Sequence, residues 1–512
     1  MSQTGLQRLE TLRKLNSNRS WLNEDIYRLF YKKDLHLAAY NKVQSHYPGE
    51  NRDVDYSHLI EKTIGQIKDC SFQFTKGSRK NKTACSPLER QTAQYPLREK
   101  VVQEIIRLIL EAIYDGPENP YFHDFCHGFR KGRGRHSALR AMRSWQGTSW
   151  FIEGPIKGCF GAMDHHKLIE FMTQKITDDR FLDLIWKALK SGCLDAEKET
   201  DPLSGTPQGC IISPVLANIY LHQLDCFIIK LAQEYNAELY NKNQLDQINP
   251  CTRTGYPRRK CRTPELATTG HTGPIKLGYS RYADDWLIGL AGPKGFAVEI
   301  DDKVQNFLAD KLKLVPRSTP PQIKHAKSEK ALFLETLVYS QNSAHAPNSS
   351  LSSGGEVRLE APIGKIIHHL HRAGFCDGSG RPMPKKDWLF RSLEEIITTA
   401  NAHLKGYRDF YIFADNFSGL RRIEYIIQYS CAKTISAKMK LGSLRKTFKK
   451  YTTSLSVCRE KSTEKVQLDL TRFAKRIGNG IATGPRDVPM NELSNLQSVR
   501  NKKSPPPKSP EK

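Results

Sequence analysis

Apolar residues recur along this chain at two kinds of spacing, over three stretches. Up to about residue 110 the interval is helical: Leu6, Leu9 and Leu12, then Leu29, Tyr40 and Val43, then Val101, Ile105, Ile106, Leu108 and Leu110. Each set predicts a helix with one buried face. Between residues 150 and 341 short apolar runs alternate with helical stretches, the pattern of an α/β sheet domain. After a Ser/Asn/Gly-rich stretch at 342–355, helical spacing returns over 363–371 and 388–448. A basic, polar interruption at 76–82 predicts an exposed loop. Residues 241–278 have few periodic apolar positions and many Arg, Lys, Pro, Thr and Gly, which predicts a surface insertion. Periodicity weakens beyond about residue 462, and 504–510 reads as a disordered basic tail. No internal repeat is visible.

Charge changes this picture most. The 512 residues carry 79 Lys+Arg against 54 Asp+Glu, a net +25, with a sequence pI near 9.5. Such an excess points to a polyanionic partner. Nucleic acid is favoured over membrane, because no run of about 18 apolar residues is present and the first twenty residues lack the apolar core of a secretory signal. Residues 1–18 are basic and poor in acids, as a transit peptide is, but Glu10 and the leucine spacing fit an ordinary amphipathic helix equally well. The twelve cysteines form no C-x-x-C pair and read as reduced thiols of an intracellular protein. His127, His165, His166, His368, His369 and His371 have no Cys or acid spacing that completes a metal site.

Two stretches carry chemistry. Gly278-Tyr279-Ser280-Arg281-Tyr282-Ala283-Asp284-Asp285-Trp286-Leu287-Ile288-Gly289 reads as two short strands folded back on a turn with adjacent carboxylates. Two Mg²⁺ ions roughly 4 Å apart can drive nucleotidyl transfer, but that clamp needs a further carboxylate from a neighbouring strand. On its own, the Asp284-Asp285 pair fits a solvated turn equally well. In Gly205-Thr206-Pro207-Gln208-Gly209-Cys210-Ile211-Ile212-Ser213-Pro214, the glycines allow close backbone approach. Ser213 as N-cap with Pro214 at the first helical position starts a helix, with Leu216, Ile219, Tyr220 and Leu224 as its buried stripe.

With Pro-Gln-Gly some 75 residues before Tyr-Ala-Asp-Asp, the chain resembles the group II intron-encoded reverse transcriptases, or maturases. Asp25 to Phe30 with Leu37 to Tyr40 resembles that family's N-terminal extension, and His127 to Gly134 its fingers-palm motif. Trp150 to Phe160 is similar to the strand that presents the first catalytic aspartate. Tyr411 to Phe417 and Tyr429 to Thr434 resemble the maturase thumb, called domain X. The resemblance implies an α+β fold of right-hand polymerase fingers and palm followed by an α-helical thumb. The expected layout is 1–95 as N-terminal extension and fingers, 96–341 as palm and fingers with the insertion 241–278, 342–362 as linker, 363–461 as domain X, and 462–512 as a basic tail.

Departures from the family pattern bear on activity. Pro155 stands where the family has its first metal-binding aspartate, and Gly161 where a second acid usually follows the aromatic. Glu153, two residues upstream, lies about 7 Å along the same strand face. Asp164 reads as a helix-start residue. Pro320 falls at a general-acid lysine position and Glu335 at the lid glycine. The catalytic and metal positions retained are Asp284 and Asp285. Substrate-binding positions are Phe160, which resembles the sugar-selecting aromatic, Gln208, Gly209 and, by ungapped counting from Arg98, Arg90, whose surroundings do not match.

A binding function is therefore expected. Between residues 421 and 450 stand Arg421, Arg422, Lys433, Lys438, Lys440, Arg445, Lys446, Lys449 and Lys450 against Glu424 alone, interleaved with Tyr425, Tyr429 and Phe448. A charge run is usually a solvated face, but this mixture suits RNA phosphates and stacked bases. The expected function is a maturase that binds its host group II intron RNA and assists splicing with reverse transcriptase activity lost or impaired. The alternative is an active RNA-directed DNA polymerase serving intron mobility. Mg²⁺ is the cofactor of any remaining polymerase activity, and otherwise none is expected. DNA as a second partner and a homodimer stay open, and no membrane is implied. No Cys/His-rich nuclease module follows the thumb-like region. An organelle, chloroplast or mitochondrion, is expected rather than a bacterial cytoplasm.

Overall fold

The computed structural model describes residues 3–46, 56–75, 78–79, 93–118, 120–156, 158–191, 210–248, 276–314, 322–341, 355–458 and 465–470. The chain divides into two units, Met1–Leu334 with Tyr339–Val357, and Glu335–Val338 with Arg358–Lys512. Helix and sheet are mixed.

Helices open the first unit: α1 (Gly5–Leu15), α2 (Lys33–His46) and α3 (Tyr56–Lys68), then a two-residue ladder of β1 (Ser78–Arg79) with β2 (Ala93–Gln94), then α4 (Leu97–Tyr114). Thr4 and Gln7 close a reciprocal capping box that fixes the start of α1. Helix α4 is buried nearly all round rather than on one face: residues 99–106 are buried without a break, and Ile109, Leu110 and Ile113 continue its apolar side. Next come α5 (Arg135–Met142), β3 (Trp150–Glu153), α6 (Cys159–Ala162), α7 (His165–Thr173) and α8 (Asp179–Lys190). Asp164 and Asp178 start α7 and α8, each carboxylate accepting the backbone N–H three residues on.

Helix α9 (Ser213–Ile248) begins at the predicted Ser-Pro junction and continues well into the polar stretch after residue 241. Its stripe of Leu216, Ile219, Tyr220 and Leu224 is buried, and α4 and α7 pack against it. By length and composition Ser213–Tyr235 could cross a membrane, although no unbroken apolar run announces it. Two-thirds of that window is buried inside the protein, so α9 serves as a core helix. The chain then forms β4 (Leu277–Tyr282), β5 (Asp285–Leu290), α10 (Lys294–Asp310), β6 (Ile323–His325), β7 (Ala331–Phe333), β8 (Thr336–Gln341) and β9 (Glu356–Glu360). One antiparallel sheet, in the order β4-β5-β3-β6, positions the acidic hairpin.

The second unit is built from α11 (Ile363–Arg372), α12 (Leu393–Tyr411), α13 (Arg421–Lys438) and α14 (Leu444–Tyr451), with a short ladder of β10 (Val457–Cys458) and β11 (Lys465–Val466). Ile396, Ile397, Ala400, Leu404 and Tyr411 of α12 share a core with Ile423, Ile426, Ile427 and Cys431 of α13. The chain beyond β11 docks on α12. Arg408 pairs with Asp469 at 2.8 Å, Asn401 bonds Gln467 O and Asp469 N, and Leu468 is buried. Seven described cysteines carry free thiols, while Cys210 is disulfide-bonded, a departure from the reduced set expected.

Candidate functional site

The hairpin is real and tightly turned. Tyr282 pairs with Asp285, leaving Ala283 and Asp284 as a two-residue connection. Ala283 takes φ +57°, the left-handed conformation such a turn demands of its first residue. The backbone around Gly128 lies against it: a Cβ on Gly128 would come within 2.4 Å of Ala283 N. Arg281 N donates to Phe125 O and His127 N to Arg281 O, both at 2.9 Å. The 125–128 segment therefore runs beside β4 as an extra edge.

A buried polar network holds this arrangement from behind. Arg281, fully buried, donates to Asp225 through Nε at 2.7 Å and Nη2 at 2.6 Å. Its Nη1 reaches Asn218 Oδ1 at 3.1 Å and Ala283 O at 3.0 Å. Tyr279 OH donates to the same Asp225 at 3.0 Å, and Asn218 Nδ2 donates to Gly128 O at 2.8 Å. One guanidinium thus ties the turn carbonyl to α9, whose Asn218 and Asp225 lie two turns apart on one face.

Among the described residues, no third His, Cys, Asp or Glu joins Asp284 and Asp285 in a group that could hold a metal. Both Asp284 and Asp285 are half-buried. Burial pushes the Asp284 carboxyl above the usual carboxylate value, opposed by its own backbone N–H and by Arg281. Strand β3 pairs Glu153 with Leu287 of β5. Beyond it, Gly154 N donates to Trp286 O and Ile156 N to Asp284 O, both at 3.1 Å. Pro155 therefore sits across from Asp285 at the acidic tip, and its side chain offers no metal ligand. Glu153 does not replace it: its carboxylate pairs with Lys324 Nζ at 2.8 Å and accepts Leu332 N at 2.7 Å. Among the described residues, the two hairpin carboxylates alone do not fit a two-Mg²⁺ clamp. Gly154 is needed for this packing, since a Cβ there would fall 1.8 Å from the Trp286 ring.

The other sequence candidates divide as follows. Asp164 is an N-cap, as its position suggests. Phe160 belongs to α6, but its side chain, together with Arg90, Gln208, Gly209 and Pro320, lies outside the described residues. Leu334 and Glu335 have φ of +48° and +56°, so Glu335 occupies a left-handed position of the kind that favours glycine.

In the second unit, Arg445, Lys446, Lys449 and Lys450 are all exposed on α14, while Thr447 is buried and Phe448 packs on the core. Tyr429 stands 5.5 Å from Phe448 and 4.4 Å from exposed Tyr425, with the Arg422 guanidinium 5.3 Å over the Tyr425 ring. Arg421 is also exposed. Two other cations of α13 turn inward to the chain itself: Lys433 Nζ donates to Pro382 O at 2.8 Å and Lys438 Nζ to Leu389 O at 3.0 Å. Sequence reasoning missed the Arg281 network. Its available signals were an arginine inside a short strand and an aspartate, Asp225, directly after the buried Leu224.

Residues 80–317 match the family model described as reverse transcriptase (RNA-dependent DNA polymerase), and residues 355–479 the one described as type II intron maturase. The chain is 33% identical to the group II intron-encoded protein LtrA of Lactococcus lactis, over 82% of this chain and 76% of that protein. It is 34% identical to an uncharacterized 91 kDa protein in the cob intron of Schizosaccharomyces pombe, over 89% of this chain and 59% of that one. A nuclear intron maturase 2, mitochondrial, of Arabidopsis thaliana is 24% identical over 72% of this chain and 56% of its own length.

Proposed function

Because the chain belongs to the group II intron-encoded proteins, with a reverse transcriptase domain followed by a type II intron maturase domain, we propose that it acts as a maturase whose polymerase chemistry is lost or severely impaired. In this reading the β4-β5-β3-β6 sheet is the palm and the second unit the thumb. The protein binds its host group II intron RNA, and binding favours the catalytically folded RNA by mass action, with no chemistry required of the protein.

The observation that carries the proposal is Pro155 opposite Asp285, with Glu153 held by Lys324 and Leu332. Losing one metal carboxylate costs several kcal/mol of transition-state stabilisation. The α14 cations and the Tyr425–Tyr429–Phe448 cluster supply phosphate and stacking contacts. The relative named as a mitochondrial maturase supports an organelle as the compartment. Sequencing of RNA crosslinked to the protein in its host tests the reading. Enrichment of one group II intron is expected; an even spread over unrelated transcripts would make it a general RNA-binding protein.

A further inference from the structure

Outside the hairpin, three ligand-type side chains from separate parts of the first unit converge. His123 comes from the segment before Gly128, and His222 and Cys226 lie one turn apart on α9; their donor atoms all fall within 4.8 Å of one another. Cys226 Sγ is 3.3 Å from His222 Nε2 and 3.6 Å from His123 Nε2. The two imidazoles stack with centroids 5.0 Å apart. We propose that His123, His222 and Cys226 form a Zn²⁺ site that clamps the 123–128 segment to α9.

Geometry is the first support. Tetrahedral zinc with Zn–S about 2.3 Å and Zn–N about 2.0–2.1 Å separates sulfur from each nitrogen by about 3.6 Å, close to the spacing already present. The second is the buried ring itself. Among the described residues His222 Nδ1 has no hydrogen-bond partner, so the ring's polar contact is the thiol. Third is access: Cys226 is exposed and His123 half-buried, which leaves an open fourth position for water, as in three-ligand zinc sites. On binding, the Cys226 thiol loses its proton to solvent and the thiolate bonds the metal. Arg19 opposes a cation here and Asp225 favours one, since both act on all three groups. An N₂S donor set selects a borderline cation over Mg²⁺.

The site would brace the hairpin. Phe125 O and His127 N of the clamped segment bond Arg281, and α9 carries its partner Asp225.

The test is titration of the metal-stripped full chain with ZnCl₂ in excess Mg²⁺, comparing wild type with Cys226→Ser, His123→Ala and His222→Gln. One more equivalent of zinc is expected in the wild type than in each variant. The weakening should exceed the ~10–100-fold that outer-sphere partners are worth. With Co²⁺ as probe, the thiolate charge-transfer absorption should fall by one site's worth in Cys226→Ser, an exposed position whose folding is checked by circular dichroism. Equal stoichiometry in wild type and Cys226→Ser, or displacement of the metal by millimolar Mg²⁺, would leave only a thiol hydrogen-bonded to two histidines and overturn the proposal.

Discussion

Replacing Arg445, Lys446, Lys449 and Lys450 together by alanine separates an RNA-binding face from a merely solvated one. The structure keeps the perturbation local. Ser443 caps α14 by accepting Lys446 N at 3.3 Å, Thr447 Oγ1 donates to Ser443 O at 3.1 Å, and Thr447 and Phe448 supply the packing; of these contacts only a backbone N–H belongs to a substituted residue. Alanine is also the best helix former, so the helix should persist. If each cation neutralises one phosphate, the slope of log K against log[salt] should become shallower by about 3, from four contacts at roughly 0.7–0.9 each. Between 50 and 200 mM salt, a four-fold change, the wild type should then lose about 60-fold more affinity than the variant, equivalent to about 2.4 kcal/mol. Filter binding of a group II intron RNA across that salt range reads the two slopes directly. Parallel lines for two folded proteins would refute the assignment of α14 to phosphate contact.

Two further outcomes follow from the first unit. Arg281→Met leaves Asp225 buried without its ion-pair partner and should cost about 3–5 kcal/mol, whereas Arg281→Met with Asp225→Leu should recover much of it; a loss below about 1 kcal/mol in thermal or urea unfolding would mean the pair is not structural. Extension of a DNA primer on an RNA template should stay near the level of an Asp285→Ala blank. Pro155→Asp alone should raise it little while Pro320 and Glu335 remain, since proton transfer alone can contribute about 10²–10⁴-fold; strong synthesis by the wild type would mean another acid has taken the place of Pro155.

The parts of the fold visible in the sequence are those fixed by local chemistry. Helix α9 starts at the Ser-Pro junction, though with Ser213 already inside it and Leu216 N bonded to Ile212 O rather than with Ser213 as its cap. Asp164 caps α7 and the Tyr-Ala-Asp-Asp stretch folds back at Ala283, because helix starts and tight turns depend on residues within a few positions of one another. Pairing over long separations was hidden. Arg281 and Asp225 lie 56 residues apart, and His123 and Cys226 103, so only the His222–Cys226 spacing of one helical turn left a trace. Counting cations also could not separate Lys433 and Lys438, which serve backbone carbonyls of the 382–389 segment, from the exposed set on α14.

The central claim is that RNA binding, not polymerase chemistry, is what this protein contributes to its intron. A reconstituted splicing reaction with Asp284→Ala/Asp285→Ala protein tests it most directly, since both retained carboxylates are removed while the α14 face is left intact. Spliced product is expected at the wild-type rate and yield, in a reaction that is slow or absent without protein. Loss of splicing with a double variant that is folded and still binds the intron RNA would contradict the account.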